Sequence, residues 1–406
     1  MAAHSNGRRP ASAENQIYAH VVGWGMAVPE KILTNLDLEA IVETSDEWIR
    51  SRTGIRERRI AGENESTATL GLKAAQRALE VANILPLELD LVIVATSTPE
   101  NIFPSTASLI QDRLGATKAG AFDLSAACAG FVYALNMAAQ SIRSGSIETA
   151  LVIGSETMSR VLDWQDRSTC VLFGDGAGAV VLRASEEDGG IRSAVLRSDG
   201  SGWDVLGIPT VGSLDNRLPE ASPNEHKMHK MHMNGREVYK FASRIVGESI
   251  QQALEIAGLT IHDLAVIVPH QANLRIIQSA ARSLGVDTDI FISNLERYGN
   301  TSAASIPIAL CEAIEAGRIN NGDHIAFCGF GGGLAWAAVV LTWTGPYTGE
   351  PRTLGKQRRQ LMYVGARWRR RALHLGRRVD EMISRIHPER GRLPRLRRKF
   401  DQQRLD

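Results

Sequence analysis

Three apolar runs in the first half of the chain return in the second. Asp90-Leu91-Val92-Ile93-Val94 is answered 173 positions later by Asp263-Leu264-Ala265-Val266-Ile267-Val268, each run standing behind an acidic residue and before a polar loop. Ala150-Leu151-Val152-Ile153-Gly154 is answered at an offset of 174 by His324-Ile325-Ala326-Phe327-Cys328-Gly329. Gly178-Ala179-Val180-Val181-Leu182 is echoed in turn by Ala337-Ala338-Val339-Val340-Leu341. A repeat this long is not a solenoid unit, which spans about 20–50 residues, so it points to one folding unit used twice. Short apolar runs suit buried strands, and helical patterns lie between them, at Ser66 to Ala82 and at Val238 to Ala257. Strands alternating with helices define a layered α/β fold. The reading is a polar N-terminal arm (residues 1–16), two α/β halves (17–186 and 187–345), and an extension (346–406).

Composition narrows the class. A chain of 406 residues, 44% hydrophobic and 22% charged, buries a large core and is neither disordered nor collagen-like. Its four cysteines (Cys128, Cys170, Cys311 and Cys328) include no CxxC pair, which argues against a disulfide framework or a thiolate zinc site. A reducing compartment, the cytoplasm, is expected. The first sixteen residues lack the apolar stretch of a secretory signal. Residues 325–349 are free of charge and long enough for a membrane span, but Gly329-Phe330-Gly331-Gly332-Gly333 interrupts them, and strand, glycine loop and strand is the better reading. From Leu124 to Ile142 a second uncharged stretch is apolar on every side, as a helix in the centre of a protein would be.

Two signals are set aside. His226, His229 and His232 have metal-like spacing but no accompanying cysteine or carboxylate ligand pattern, in a polar segment from Asp215 to Met233 that reads as an exposed excursion, so no metal is expected. Gly174-Asp175-Gly176-Ala177-Gly178 precedes a strand instead of following one and is no dinucleotide fingerprint.

Cys128 carries the most chemistry. It stands in Leu124-Ser125-Ala126-Ala127-Cys128-Ala129-Gly130, where a small-residue turn enters the central helix. A helix start favours the thiolate and so predicts a nucleophile, although most lone cysteines are only small buried hydrophobes. His270 (Val268-Pro269-His270-Gln271) and Asn300 (Gly299-Asn300-Thr301) follow at strand-end positions and suit the handling of protons and developing negative charge, although each alone also reads as a satisfied core histidine or a turn asparagine. The glycine run 329–333 can bring bare backbone N–H groups to a ligand, as in an oxyanion hole.

These segments, with Thr44 to Ala61 (TSDEWIRSRTGIRERRIA), Asp166 to Leu182 (DRSTCVLFGDGAGAVVL), Met233 to Ala242 (MNGREVYKFA), VPHQANLRII, ERYGNTSAASIPIAL and GFGGGLAW, resemble β-ketoacyl-acyl carrier protein synthase III, of the thiolase-fold condensing enzymes. The resemblance runs from about Ile17 to about Thr344. It implies a five-layered α-β-α-β-α core, a homodimer, and a decarboxylating condensation of an acyl-CoA primer with malonyl-acyl carrier protein that starts fatty-acid synthesis. It makes Cys128, His270 and Asn300 catalytic, with the backbones of Cys128 and Gly332 as oxyanion hole. Trp48 and Arg167 would flank the adenine of coenzyme A. Gln271, Arg275 and Lys240 would meet the carrier protein. Phe103 would reach a partner's acyl pocket and Phe173 would line one. No metal or organic cofactor is implied.

The extension departs from that family. From Glu350 onward 18 Lys and Arg face 6 Asp and Glu, leaving 28 against 39 before it. Leu361, Trp368, Leu375, Val379, Met382 and Ile386 fall near helical spacing, so a basic amphipathic helix is expected, fit for the carrier protein, an anionic membrane, another subunit or nucleic acid. Two rival functions remain open: a thiolase-fold acyltransferase of a specialised pathway, and a membrane- or nucleic-acid-associated scaffold acting through the tail.

Overall fold

A computed structural model describes residues 16–209, 227–346 and 352–386. Its first sheet holds Tyr18–Ala27 (β1), Leu91–Ala95 (β2), Gly120–Leu124 (β3), Thr149–Thr157 (β4) and Asp175–Ser185 (β5), in the order β1-β5-β4-β2-β3. The second holds Gly190–Ser198 (β6), Leu264–Pro269 (β7), His324–Gly331 (β8) and Ala335–Thr342 (β9), in the order β7-β8-β9-β6. β2 runs parallel to β4 as β7 does to β8, β3 runs parallel to β2, and the pairs β4 with β5, β8 with β9, β1 with β5 and β9 with β6 are antiparallel. The duplicated sequence runs therefore occupy equivalent strands. The counterpart of β3 in the second half is reduced to one isolated parallel bridge between Ile267 and Phe291. β4 is buried along its whole length and β8 along all but its first residue, and both read as continuous apolar runs because helices cover both faces.

Those covering helices form three further layers. Thr67–Ala82 (α2) and Thr106–Leu114 (α3) pack on the outer face of the first sheet, and Gly235–Ala257 (α5) and Leu274–Leu284 (α6) on that of the second. Ser66 starts α2 by accepting the Thr69 N–H, and Leu70, Ala74, Ala78 and Leu79 form its buried stripe. Between the sheets lie Gly130–Arg143 (α4) and Ser305–Glu315 (α7). Phe131, Leu135 and Ala138 of α4 share one core with Ile93 and Val152 of the first sheet and Val268, Phe327 and Val339 of the second. This is the five-layered α-β-α-β-α core of the thiolase-like fold. The uncharged stretch begins as strand and turn, since Leu124 closes β3 and helix starts only at Gly130. Gly154 allows the approach of α7 to β4: a Cβ there would stand 2.2 Å from the Ala303 carbonyl oxygen.

Of the polar excursion, residues 210–226, His226 among them, lie outside the described residues. His232–Met233 pairs with Leu206–Gly207, and no described cluster of His, Cys, Asp or Glu could hold a metal ion. Of the extension, the described residues Arg352–Ile386 form a helix (α8). No described helix is long and apolar enough to cross a membrane.

Candidate active site

Between β3 and α4 the chain must reverse within five residues. Ala127 takes up the bend at φ 45°, a left-handed conformation that costs a residue bearing a Cβ and that collects at functional sites. The turn leaves Cys128 buried at a cavity of about 610 Å³, lined also by Ser97, Met158, Phe173, Leu206, Ser302 and Gly332. Gly331 presses on the cysteine from the other half: a Cβ on it would lie 2.7 Å from the Cys128 nitrogen. A bare backbone is what permits the glycine run to approach here.

The resting state of Cys128 differs from the expectation of a thiolate. Burial pushes its thiol up to about 12, a hydrogen bond with Ser302 opposes that shift, and the charge of Glu156 adds to it. A rise from 9.0 to about 12 is worth about 4 kcal/mol. A helix terminus offers only about 0.3–1 kcal/mol, so desolvation wins.

Two groups absent from the sequence candidates surround the thiol. Cys128 Sγ lies 3.5 Å from Ser302 Oγ, which donates at 2.9 Å to Glu156 Oε1. Glu156 is fully buried at the end of β4 and also accepts from the Ser97 N–H (3.0 Å), Thr98 Oγ1 (2.5 Å) and Thr96 Oγ1 (3.2 Å). Burial pushes its carboxyl up, and the bonds from Thr98, Ser97, Ser302 and Thr96 pull it back. Its signal in the sequence was a lone charge in an apolar strand, Thr149-Ala-Leu-Val-Ile-Gly-Ser-Glu156-Thr157.

Asn300 and His270 reach the same region from the second half. Asn300 Oδ1 accepts the Ser302 N–H at 2.8 Å, which leaves the Nδ2 amide as its donor end. Its backbone bridges to Phe173 beside the cavity. His270 follows β7, donates its N–H to the Cys328 carbonyl at 2.7 Å, and sets its ring edge-on to Phe330 at 5.0 Å, one residue before Gly331. Its Nδ1 meets Ser305 Oγ at 2.7 Å. Burial pulls the imidazole down to about 3, so it is neutral at ordinary pH. Either group can donate in this bond; if the Ser305 hydroxyl donates to Nδ1, the ring proton sits on Nε2.

The remaining candidates divide. Trp48, half-exposed on Asp46–Thr53 (α1), and Arg167 come together, the guanidinium 5.8 Å from the ring centroid. Arg275 on α6 lies over Tyr239 of α5 at 5.7 Å, and Lys240 pairs with Glu237 at the surface. Phe173 is in the cavity wall, whereas Phe103 is 84% exposed and is not among the residues lining that cavity.

Gln271 is a correction. Expected to meet a carrier protein, it is only 1% exposed, and its amide donates to the Pro269 and Ile292 carbonyls (2.8 and 3.0 Å) while accepting the Asn294 N–H (3.1 Å). It fixes the loop that carries His270. Gln271→Ala orphans three buried backbone groups, and a loss of about 3 kcal/mol is expected, read as a lowered urea midpoint with an unchanged slope.

Comparison with known proteins places these residues in a familiar setting. Residues 122–200 match the family model for 3-oxoacyl-[acyl-carrier-protein (ACP)] synthase III, and residues 254–343 match that for its C-terminal part. The chain is similar to beta-ketoacyl-[acyl-carrier-protein] synthase III of Roseiflexus sp. (strain RS-1), 52% identical over 80% of this chain and 99% of the relative. It is similar in the same way to that of Clostridium acetobutylicum, 52% identical over 80% of this chain and 98% of the relative. The crystal structure of 3-oxoacyl-[acyl-carrier-protein] synthase III from Aquifex aeolicus VF5 superposes with a TM-score of 0.74 at 47% identity, covering 80% of this chain and 100% of that one.

Proposed function

The chain belongs to the β-ketoacyl-[acyl-carrier-protein] synthase III family, acyltransferases that initiate fatty-acid synthesis, and from that premise we propose how its own residues run the reaction. The observation that carries the reading is that Cys128, Ser302 and Gly332 line one cavity, with Gly331 packed against the Cys128 nitrogen and Asn300 accepting the Ser302 N–H beside it. Cys128 Sγ attacks the thioester carbonyl of an acyl-CoA. Ser302 accepts from the thiol as it ionises, and Glu156, its affinity for protons raised by burial, steadies Ser302. The N–H groups of Cys128 and Gly332 hold the tetrahedral oxyanion, and coenzyme A leaves with a proton.

Malonyl-acyl carrier protein then enters and loses carbon dioxide. The enolate oxygen is held by His270 Nε2–H, in the tautomer that accepts from Ser305, and by Asn300 Nδ2–H; its carbon attacks the acyl-cysteine, the C–S bond breaks, and Cys128 leaves as thiolate and takes up a proton. A neutral imidazole suits this step, since a donor is needed and a strong base is not.

Substrate contacts follow from placement. Trp48 and Arg167 would clasp the adenine of coenzyme A, and Arg275 and Lys240, on the packed pair α5 and α6, would steer the acidic carrier protein. The exposed Ile102 and Phe103 suit burial by a second copy, with Phe103 closing the partner's acyl cavity, itself walled here by Met158, Phe173 and Met231. Four unpaired cysteines accord with a cytoplasmic enzyme.

The test is intact-mass spectrometry of the protein incubated with a panel of acyl-CoAs and chased with malonyl-acyl carrier protein. An acyl adduct that vanishes as β-ketoacyl product and carbon dioxide appear supports the scheme. An adduct that survives the chase would move the assignment to simple acyl transfer.

A further inference from the structure

The two faces of α8 are unlike. On one, Arg359, Tyr363 and Ala366 are buried against the body. Arg359 donates to Asn83 Oδ1 at 3.2 Å, Tyr363 joins the apolar layer of α2 and α3, and Arg369 and Arg370 both reach Asp112 on α3 at 2.9 Å. On the other face stand Leu361, Val364, Trp368, Leu375, Val379 and Met382, each 39–71% exposed. At 3.6 residues per turn these six project within an arc of about 60°, centred about 160° around the helix from the docked three. The helix is therefore held to the protein by one side and displays a continuous apolar stripe on the opposite side. Single exposed apolar residues are ordinary, whereas a contiguous rimmed stripe marks an interaction surface.

Charge identifies the occupant. Arg371 and Arg378 border the stripe on one side and Arg358 on the other, and α8 carries 11 Lys and Arg against Asp380 and Glu381. The 20 residues that follow add seven cations and three acids. The stripe asks for an apolar phase and its borders ask for anions, in parallel lines along one helix.

We propose that the outward face of α8 is a docking site for an anionic lipid surface, with Trp368, Leu375 and Val379 entering the boundary between headgroups and acyl chains and the bordering arginines meeting lipid phosphates. A second copy of the chain fits less well, because pairing two stripes aligns Arg371 and Arg378 of one copy with those of the other along the seam. The acidic carrier protein or a nucleic acid would satisfy the arginines yet leave the stripe in water.

The experiment is co-sedimentation of the full chain with vesicles of equimolar phosphatidylglycerol and phosphatidylcholine, against phosphatidylcholine alone. The parent chain is expected to pellet with the first and not the second, and to be released as salt rises. A Leu375→Glu/Val379→Glu variant alters two exposed positions and should bind on the order of a hundredfold more weakly, with condensation in solution unchanged. Failure of the parent to bind the anionic vesicles, or equal binding by the variant, overturns the proposal. If the parent ignores vesicles and the variant instead loses self-association or retention on immobilised carrier protein, the face belongs to a protein partner.

Discussion

Cys128→Ala is expected to form no acyl adduct with any acyl-CoA and to lose condensation by about 10⁴-fold or more. The substitution takes away only Sγ from a cavity whose walls rest on other residues, so unfolding should be unaffected to within about 1 kcal/mol, checked by thermal denaturation. Ser302→Ala gives the graded form of the same result. It keeps the nucleophile but removes the one hydroxyl within 3.5 Å of it, and with it the link to Glu156. A thiol that burial holds up to about 12 then has to ionise unaided, and acylation should slow by about 10²-fold. Stopped-flow release of coenzyme A would measure both. Acylation of Ser302→Ala at the parent rate would remove the serine and Glu156 from the first half-reaction.

The second large effect separates the two half-reactions. His270→Ala and Asn300→Ala should each acylate at close to the parent rate, because the proposed scheme gives the acyl-accepting step to Cys128 and the glycine backbone. Both should lose decarboxylation of malonyl-acyl carrier protein by about 10²–10³-fold, the usual cost of one preorganised oxyanion donor. Carbon dioxide release from pre-acylated protein reads the second step alone. The pH dependence carries the sign: an imidazole pulled down to about 3 stays neutral across pH 5–8, so the condensation rate should lack the titration near pH 6.5 that an ordinary histidine imposes. A loss of acylation equal to the loss of condensation in either variant would defeat this division of labour.

Much of this was legible from residues. The duplicated strands showed because covered strands must be apolar over their whole length, and Val92, Ile93 and Val94 reappear as Val266, Ile267 and Val268 for that reason. Cys128 and His270 stood out as candidates because each follows an apolar strand run, whereas Asn300, read from the sequence as a strand end, follows the short helix Leu295–Tyr298. Gln271 was misread because a polar residue beside a catalytic one looks like surface, and only the fold reveals three backbone groups waiting for its amide. Ser302 and Glu156 lie 146 positions apart, and nothing local to either announces the other. The helical pattern of the extension was visible, while its grip on Asp112 depends on where α3 stands.

The protonated state of Cys128 bears on how the enzyme endures between turnovers. Attack by peroxide or by an alkylating agent needs the thiolate, and burial that pushes the Cys128 thiol up holds the resting sulfur in its protonated form. The same burial that makes the first step depend on Ser302 keeps the idle enzyme off the sulfenic and sulfinic rungs of oxidation, the second of which is rarely reversed. Burial that disfavours the thiolate thus also shields the sulfur from small oxidants.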